Sequence, residues 1–273
     1  MPKQIVVTGG FDDLRSRHVR FLEAASRLGV LTVLLWPDAA LQSLTGKPPP
    51  LPLAERLYLL GAIRYVSRVV PVPGPADPDA LPVVADLRPD VWVDGECRAN
   101  AARQAFCRAR GLEYRVLGPE ETAGFPELPP PPPASPPRKK VIVTGCYDWF
   151  HSGHVRFFEE VSAYGDLYVI VGHDANIRRL KGEGHPFFPQ AERRYLAQSV
   201  RFVTQARIST GHGWLDAEPE IQRLQPDIYA VNEDGDRPEK RTYCEAHGIQ
   251  YLVLQRTPAP GLPPRSSTDL RGF

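Results

Sequence analysis

The sequence predicts two tandem α/β domains, each a parallel sheet covered on both faces by helices, joined by a proline-rich linker. Three observations predict it: short apolar, β-branched runs alternate with segments of helical period; the alternation occurs twice with matching residues; and a proline tract separates the two occurrences.

The repeat is read directly. Ile5-Val-Val-Thr-Gly-Gly-Phe-Asp12 matches Val141-Ile-Val-Thr-Gly-Cys-Tyr-Asp148, and His18-Val-Arg-Phe21 returns as His154-Val-Arg-Phe157, an offset of 136 residues. Leu31 to Leu35 with Asp38 match Leu167 to Val171 with Asp174. After one extra residue in the second copy, Ala54-Glu-Arg56 matches Ala191-Glu-Arg193, Pro89-Asp-Val-Trp92 matches Pro226-Asp-Ile-Tyr229, and the segment from Cys107 matches that from Cys244. The expected domains are 1–125 and 140–273. Between them, 126–139 reads as a linker: Pro126 to Pro137 holds eight prolines in twelve residues, a polyproline II spacer on the order of 35 Å long if extended.

In the second copy the pattern predicts strands over 141–144, 167–171, 202–208, 228–231 and 251–254. Helices are predicted over 153–164, 189–200, 218–224 and 238–247. Strand runs that are apolar on both faces require cover on both sides, which makes the sheet parallel and the connections helical. Ligands of such sheets sit beyond the carboxyl ends of the strands.

Composition narrows the function. The chain has 273 residues, 42% hydrophobic and 24% charged, with a net charge of +1. That balance supplies no polyanion-binding excess, so nucleic acid is excluded as a partner on electrostatic grounds. The four cysteines (Cys97, Cys107, Cys146, Cys244) form neither a CxxC pair nor a disulfide framework. No leader pattern and no apolar run of spanning length is present, and the expectation is a cytoplasmic protein with no membrane span.

The turn after 141–144 is the place for a ligand. Gly145 permits close backbone approach, Ser152 suits an N-cap, and the helix that follows directs free N–H groups and a positive dipole end at a phosphate. His151 and His154, three apart across Gly153, can donate hydrogen bonds to phosphoryl oxygens. The duller readings are a metal pair or incidental surface histidines, and a zinc site would want further Cys or His ligands at suitable spacing.

Thr144-Gly-Cys-Tyr-Asp148 followed by His151-Ser-Gly-His154 resembles the HxGH nucleotidyltransferases, and in particular the cytidylyltransferases that act on glycerol 3-phosphate and ethanolamine phosphate. The resemblance implies Rossmann-like domains. It also implies catalytic roles for His151, His154, Lys181 and Arg193, and nucleotide contacts from Thr144, Gly145, Cys146, Tyr147, Asp148, Gly153, Gly172 and Asp174. Asn232, Glu233 and Asp234 stand where the family's late acidic turn falls, with Asn and Glu in place of its usual Gly-Asp. Arg256 and Ser266-Ser267-Thr268 resemble a split form of the final signature, the serines and threonine capping a helix that faces the triphosphate. Trp214 matches a substrate-side tryptophan.

The first copy has lost several of these. Arg15 stands opposite His151, Arg17 opposite Gly153, Trp36 opposite Gly172, Thr45 opposite Lys181 and Pro119 opposite Arg256, while His18 keeps the place of His154. The expectation is that 1–125 is non-catalytic and serves to pair, as an intramolecular pseudo-dimer or within a homodimer.

The reaction that the resemblance implies is attack by a phosphomonoester oxygen on the α-phosphorus of CTP, giving a CDP-alcohol and pyrophosphate. A phosphomonoester, with its second pKa of about 6, is already mostly dianionic at neutral pH and needs no general base. Mg2+ is expected on the nucleotide phosphates, with no metal ligand from the protein. The alternatives are an ATP-dependent adenylyltransferase with the same machinery, and a non-catalytic nucleotide-binding or assembly module. A tRNA synthetase is disfavoured because no KMSKS-like segment is present. The acceptor stays open: Tyr147, Trp149 and Trp214 offer ring faces to an ammonium group, and glycerol 3-phosphate suits equally.

Overall fold

A computed structural model describes residues 2–73, 78–129, 131, 136–267 and 270. The chain divides into two compact units, Met1–Gly124 and Phe125–Gly272.

The first unit runs β1 (Gln4–Gly9), α1 (Ser16–Ser26), β2 (Val30–Leu35), α2 (Asp38–Thr45), α3 (Leu53–Ala62), β3 (Arg68–Pro71), β4 (Val91–Gly95), α4 (Ala101–Ala109), β5 (Glu113–Leu117) and α5 (Pro119–Thr122). Its sheet has the order β3-β2-β1-β4-β5, with every pairing parallel.

The second unit repeats this as β6 (Lys140–Gly145), α6 (Ser152–Ser162), β7 (Asp166–Val171), α7 (Asp174–Lys181), α8 (Gln190–Gln198), β8 (Val203–Ile208), α9 (Glu218–Leu224), β9 (Ile228–Asn232), α10 (Pro238–Ala246) and β10 (Gln250–Leu254). The order β10-β9-β6-β7-β8 is the same topology, again all parallel. Both units are therefore Rossmann-like α/β, as the alternating pattern predicts.

Local chemistry explains the elements. Val141, Ile142 and Val143 on the central strand are fully buried, which is what a strand covered on both faces requires. In α6, Val155, Phe158 and Val161 recur every third residue and are likewise fully buried, while Arg156 pairs with Glu159 and Glu160 along the outer side. The helix must then turn tightly into β7. Gly165 makes this possible, since a Cβ there would lie 2.1 Å from the Lys139 carbonyl oxygen; Gly29 repeats the device, 2.2 Å from that of Lys3.

The predicted strands and helices of the second copy are all present, with ends that differ by one or two residues. The sequence reading missed α7. Its residues, Asp-Ala-Asn-Ile-Arg-Arg-Leu-Lys, bury only Asn176 and Ile177 and so carry almost no apolar stripe. Within the proline tract, residues 130 and 132–135 fall outside the described residues. No helix among the described residues is long and apolar enough to cross a membrane.

Strand order reverses between β6 and β9, because β7 and β8 extend to one side and β9 and β10 to the other. Connections leaving in opposite directions open a crevice beyond the carboxyl ends of these two strands.

Candidate active site

The crevice begins where β6 ends. Gly145 has no room for a side chain, because the Tyr147 ring lies across it and a Cβ would sit 2.7 Å from that ring. Tyr147 adopts a left-handed backbone, φ 53°, as does its first-copy counterpart Phe11, φ 49°. The turn so formed carries Cys146 to Asp148 over the strand ends. Asp148 is buried, and its carboxylate accepts from the backbone N–H groups of Phe187 (2.9 Å) and Phe188 (2.8 Å), fastening the loop before α8.

His151 is the N-cap of α6, and its Nδ1 accepts from the Gly153 N–H at 3.1 Å. That bond places the ring proton of a neutral imidazole on Nε2. A Cβ on Gly153 would meet the same ring at 2.9 Å, so the glycine is what lets the imidazole fold over the helix start. His154 stacks on His151 with centroids 3.9 Å apart and rings inclined by 23°.

Burial, followed by the nearby His151, Arg256 and Lys181, holds the pKa of His154 well below its ordinary value. Its Nδ1 is buried and has no hydrogen-bond partner among the described residues. The second histidine is thus a neutral ring whose polar capacity a ligand can take up.

These residues line a cavity of about 220 Å3. Thr144 to Asp148 form one side, with the Thr144 hydroxyl 2.8 Å from that of Tyr229. His151, Gly153 and His154 form the next, and Lys181, at the end of α7, comes from across the opening. Asn232, Asp234 and Arg256 close the far wall. Arg256 binds the Asp234 carboxylate at 2.8 Å and the Arg265 carbonyl at 2.8 Å, joining the late acidic turn to the C-terminal segment. Glu233 does not line the cavity; its carboxylate accepts from the Arg256 N–H at 3.3 Å.

Ser267 reaches the cavity, and Ser266 lines an adjoining recess of about 270 Å3. Both lie in irregular chain, not at the start of the helix that the signature suggested. Thr268 lies outside the described residues.

Besides Glu233 and Ser266, four expected site residues do not line the cavity: Gly172, Asp174, Arg193 and Trp214. The Arg193 side chain is fully buried. Its Nε donates to the Phe188 carbonyl (2.9 Å), Nη1 to that of Cys146 (2.5 Å), and Nη2 to that of Gly172 (2.7 Å) and to the Asp174 carboxylate (2.7 Å). The sequence reading placed this guanidinium on phosphate; the fold spends its donors on main-chain carbonyls beneath the site. Arg56 repeats the pattern in the first copy, donating to the carbonyls of Leu51, Gly10 and Trp36 and to Asp38. Trp214 is 53% exposed in the short turn Gly213–Leu215.

The sequence reading missed Lys240, which also lines the cavity. It stands in the first turn of α10, donates to the Gly235 carbonyl at 3.1 Å and lies 5.7 Å from the centre of the Tyr229 ring. Burial, then the neighbouring Arg237, lowers its pKa. The available signal was a lysine two residues past Pro238, at a helix start directly after the acidic turn. Among the described residues no group of three or more His, Cys, Asp or Glu side chains is placed to hold a metal ion.

The cytidylyltransferase-like family matches residues 142–272. The chain is 37% identical over 123 residues to the FAD synthase of Thermococcus kodakarensis, covering 42% of this chain and 77% of that protein. It is 43% identical over 61 residues to the bifunctional protein HldE of Geobacter metallireducens, covering 22% of this chain and only 12% of that protein. A lipopolysaccharide core biosynthesis protein from Thermoplasma volcanium GSS1 aligns with 44% of this chain and 98% of its own, at 22% identity and a TM-score of 0.38.

Proposed function

Because the chain belongs to the cytidylyltransferase-like family of HxGH nucleotidyltransferases, we propose that its second unit transfers AMP from ATP to a phosphorylated small molecule, with pyrophosphate as the other product. The observation that carries the choice of nucleotide is the similarity to FAD synthases over three quarters of their length, and it makes FMN the first acceptor to test. This revises the CTP expectation drawn from the motifs.

The step is a single displacement. An oxygen of the acceptor phosphomonoester forms a bond to the α-phosphorus, the bond from that phosphorus to the α,β-bridging oxygen breaks, and the electron pair leaves with pyrophosphate. The acceptor oxygen is already ionised at neutral pH, so no protein base is required. What the site supplies is position and positive potential. His151 through Nε2–H, His154, Lys181 and Lys240 surround the cavity beside the α6 N-terminus, where the backbone favours anions. An arriving polyphosphate raises the pKa of His154 and so draws a proton onto the ring where charge develops. Mg2+ bound to the nucleotide would neutralise phosphate charge without a protein ligand, since the nearby carboxylates of Asp148 and Asp234 are already held by backbone N–H groups and by Arg256.

Asn232 lines the same cavity, and its Oδ1 is buried with no hydrogen-bond partner among the described residues. An acceptor so placed suits an exocyclic amino group, which adenine and cytosine carry and uracil does not. Arg193, Asp174 and Gly172 act as positioning residues, holding the 146–148 turn. The first unit is non-catalytic: Arg15, opposite His151, is held by Asp13 at 2.5 Å.

The test is pyrophosphate release from each of the four nucleoside triphosphates with FMN and with a panel of phosphorylated alcohols and sugars. Turnover with ATP is expected; turnover with CTP alone would overturn the nucleotide assignment and restore the cytidylyl reading.

A further inference from the structure

The first copy retains a cavity in the same place, and it is larger: about 610 Å3 against about 220 Å3. It opens at the carboxyl ends of β1 and β4, where strand order reverses. Thr8, Gly9, Phe11 and His18 line it as Thr144, Gly145, Tyr147 and His154 line the other. We propose that this cavity binds an unphosphorylated, flat heteroaromatic molecule of the nucleoside class. The proposal goes beyond the transfer reaction of the second unit and does not depend on it.

The enlargement has a definite cause. Gly95 stands where the second copy has Asn232, on nearly the same backbone: φ −85°, ψ 158° against φ −81°, ψ 161°. Losing that side chain opens the wall, and Trp36 and Leu44 make it aromatic and apolar. Volume and lining of this kind suit a small organic ligand at a strand-order switch point.

The anion machinery, by contrast, is dismantled. His18 turns its Nδ1 to the Arg15 N–H at 3.1 Å, so it caps the helix start instead of facing a phosphate, and burial pushes its pKa down to about 4. Arg98 is engaged, donating to the Thr8 carbonyl at 3.0 Å while covering the Trp36 ring at 4.9 Å, and Arg17 is largely exposed, 4.0 Å from Asp13. Asp12 and Glu96 add negative charge to the lining. A ring with few charges fits this balance, and a triphosphate does not.

A second observation points to a ligand. The Thr8 hydroxyl is buried at this cavity without a hydrogen-bond partner among the described residues. Its counterpart, Thr144, is satisfied by Tyr229, and the first copy has Trp92 in that place. A buried hydroxyl without a partner, on a residue that lines the cavity, is a group that a polar ring edge can satisfy.

Cys97 is exposed and lines the cavity, so its alkylation reads occupancy of this unit alone when followed by peptide mass mapping of the full chain. Adenosine, cytidine, guanosine or uridine at millimolar concentration is expected to slow that reaction about tenfold, the factor that nine-tenths occupancy gives. The triphosphates at the same concentration are expected to leave it within about twofold. Gly95→Leu plugs the cavity and removes the protection. Gly95→Asn, whose backbone the second copy already accommodates, does the same if the leucine variant fails to fold. Turnover by the second unit, measured on the same samples, stays at the wild-type level. The proposal is overturned if no nucleoside protects Cys97, if triphosphates protect it equally, or if a folded Gly95 variant is still protected.

Discussion

Replacing Arg193 by Lys separates a guanidinium that holds the fold from one that touches substrate. The native side chain is fully buried and makes donor contacts in four directions, to the carbonyls of Phe188, Cys146 and Gly172 and to the Asp174 carboxylate. A lysine keeps the charge but offers donors from a single point, so it cannot serve both the α8 side and the strand ends. Each buried carbonyl left unpaired costs about 1–3 kcal/mol, and three are at stake; the partly exposed Asp174 adds little. We therefore expect Arg193→Lys to lose on the order of 3–5 kcal/mol. In urea, that lowers the midpoint of the affected transition by about 2 M. Arg56→Lys, which removes the same construction from the first copy, is expected to lose a similar amount. Unfolding is followed by circular dichroism, and pyrophosphate release is measured without denaturant. The reasoning is refuted if Arg193→Lys keeps its midpoint and loses turnover a hundredfold, since that is the signature of a phosphate contact.

Four further outcomes follow from the same geometry. His151→Ala and His154→Ala should each lower kcat by about 10²–10³, with His151→Ala also losing about 0.5–2 kcal/mol of stability as the α6 N-cap, whereas Arg15→Ala should leave pyrophosphate release unchanged. Lys240→Met should lower kcat/KM for the nucleotide by roughly tenfold or more, the loss of one charge-assisted contact; an unchanged value would remove Lys240 from the site. Gly165→Ala should destabilise by about 1–3 kcal/mol or more, because its Cβ would meet a backbone oxygen at 2.1 Å and the turn must move; a neutral result in thermal unfolding would contradict the close approach. The pH dependence of stability should reflect His18, whose pKa falls from 6.5 to about 4 on folding. Below pH 6.5 the unfolded state takes up a proton that the folded state refuses, so this contribution is intact above pH 6.5 and is lost as pH falls toward 4. His154 adds in the same direction. Denaturant titrations of His18→Asn should show a shallower decline over that window, and an equally steep one would exclude His18 as a source.

The repeat, the parallel α/β architecture and the ligand turn were legible because each rests on local chemistry. Val141 to Val143 had to be a covered strand, Gly145 and Gly153 had to admit close approach, and His151-Ser-Gly-His154 had to open a helix. Helix α7 was illegible because a short polar helix that buries little leaves no periodic trace.

Sequence by itself determined that the chain is a duplicated nucleotidyltransferase fold whose second copy keeps both histidines and whose first copy keeps only His18, because these are statements about residue identity in a fixed order. Tertiary structure decided which charges are spent. Arg193 and Lys240 look alike as cations near a motif, but the strand ends behind the turn present unpaired carbonyls that absorb the guanidinium, while the start of α10 leaves the ammonium at the cavity. The same holds for His18, which keeps its place in the sequence while its Nδ1 accepts from the Arg15 N–H at the start of its own helix. Whether a polar side chain serves the fold or a ligand depends on what lies within 3 Å of it, and that distance is set by elements far apart in the chain.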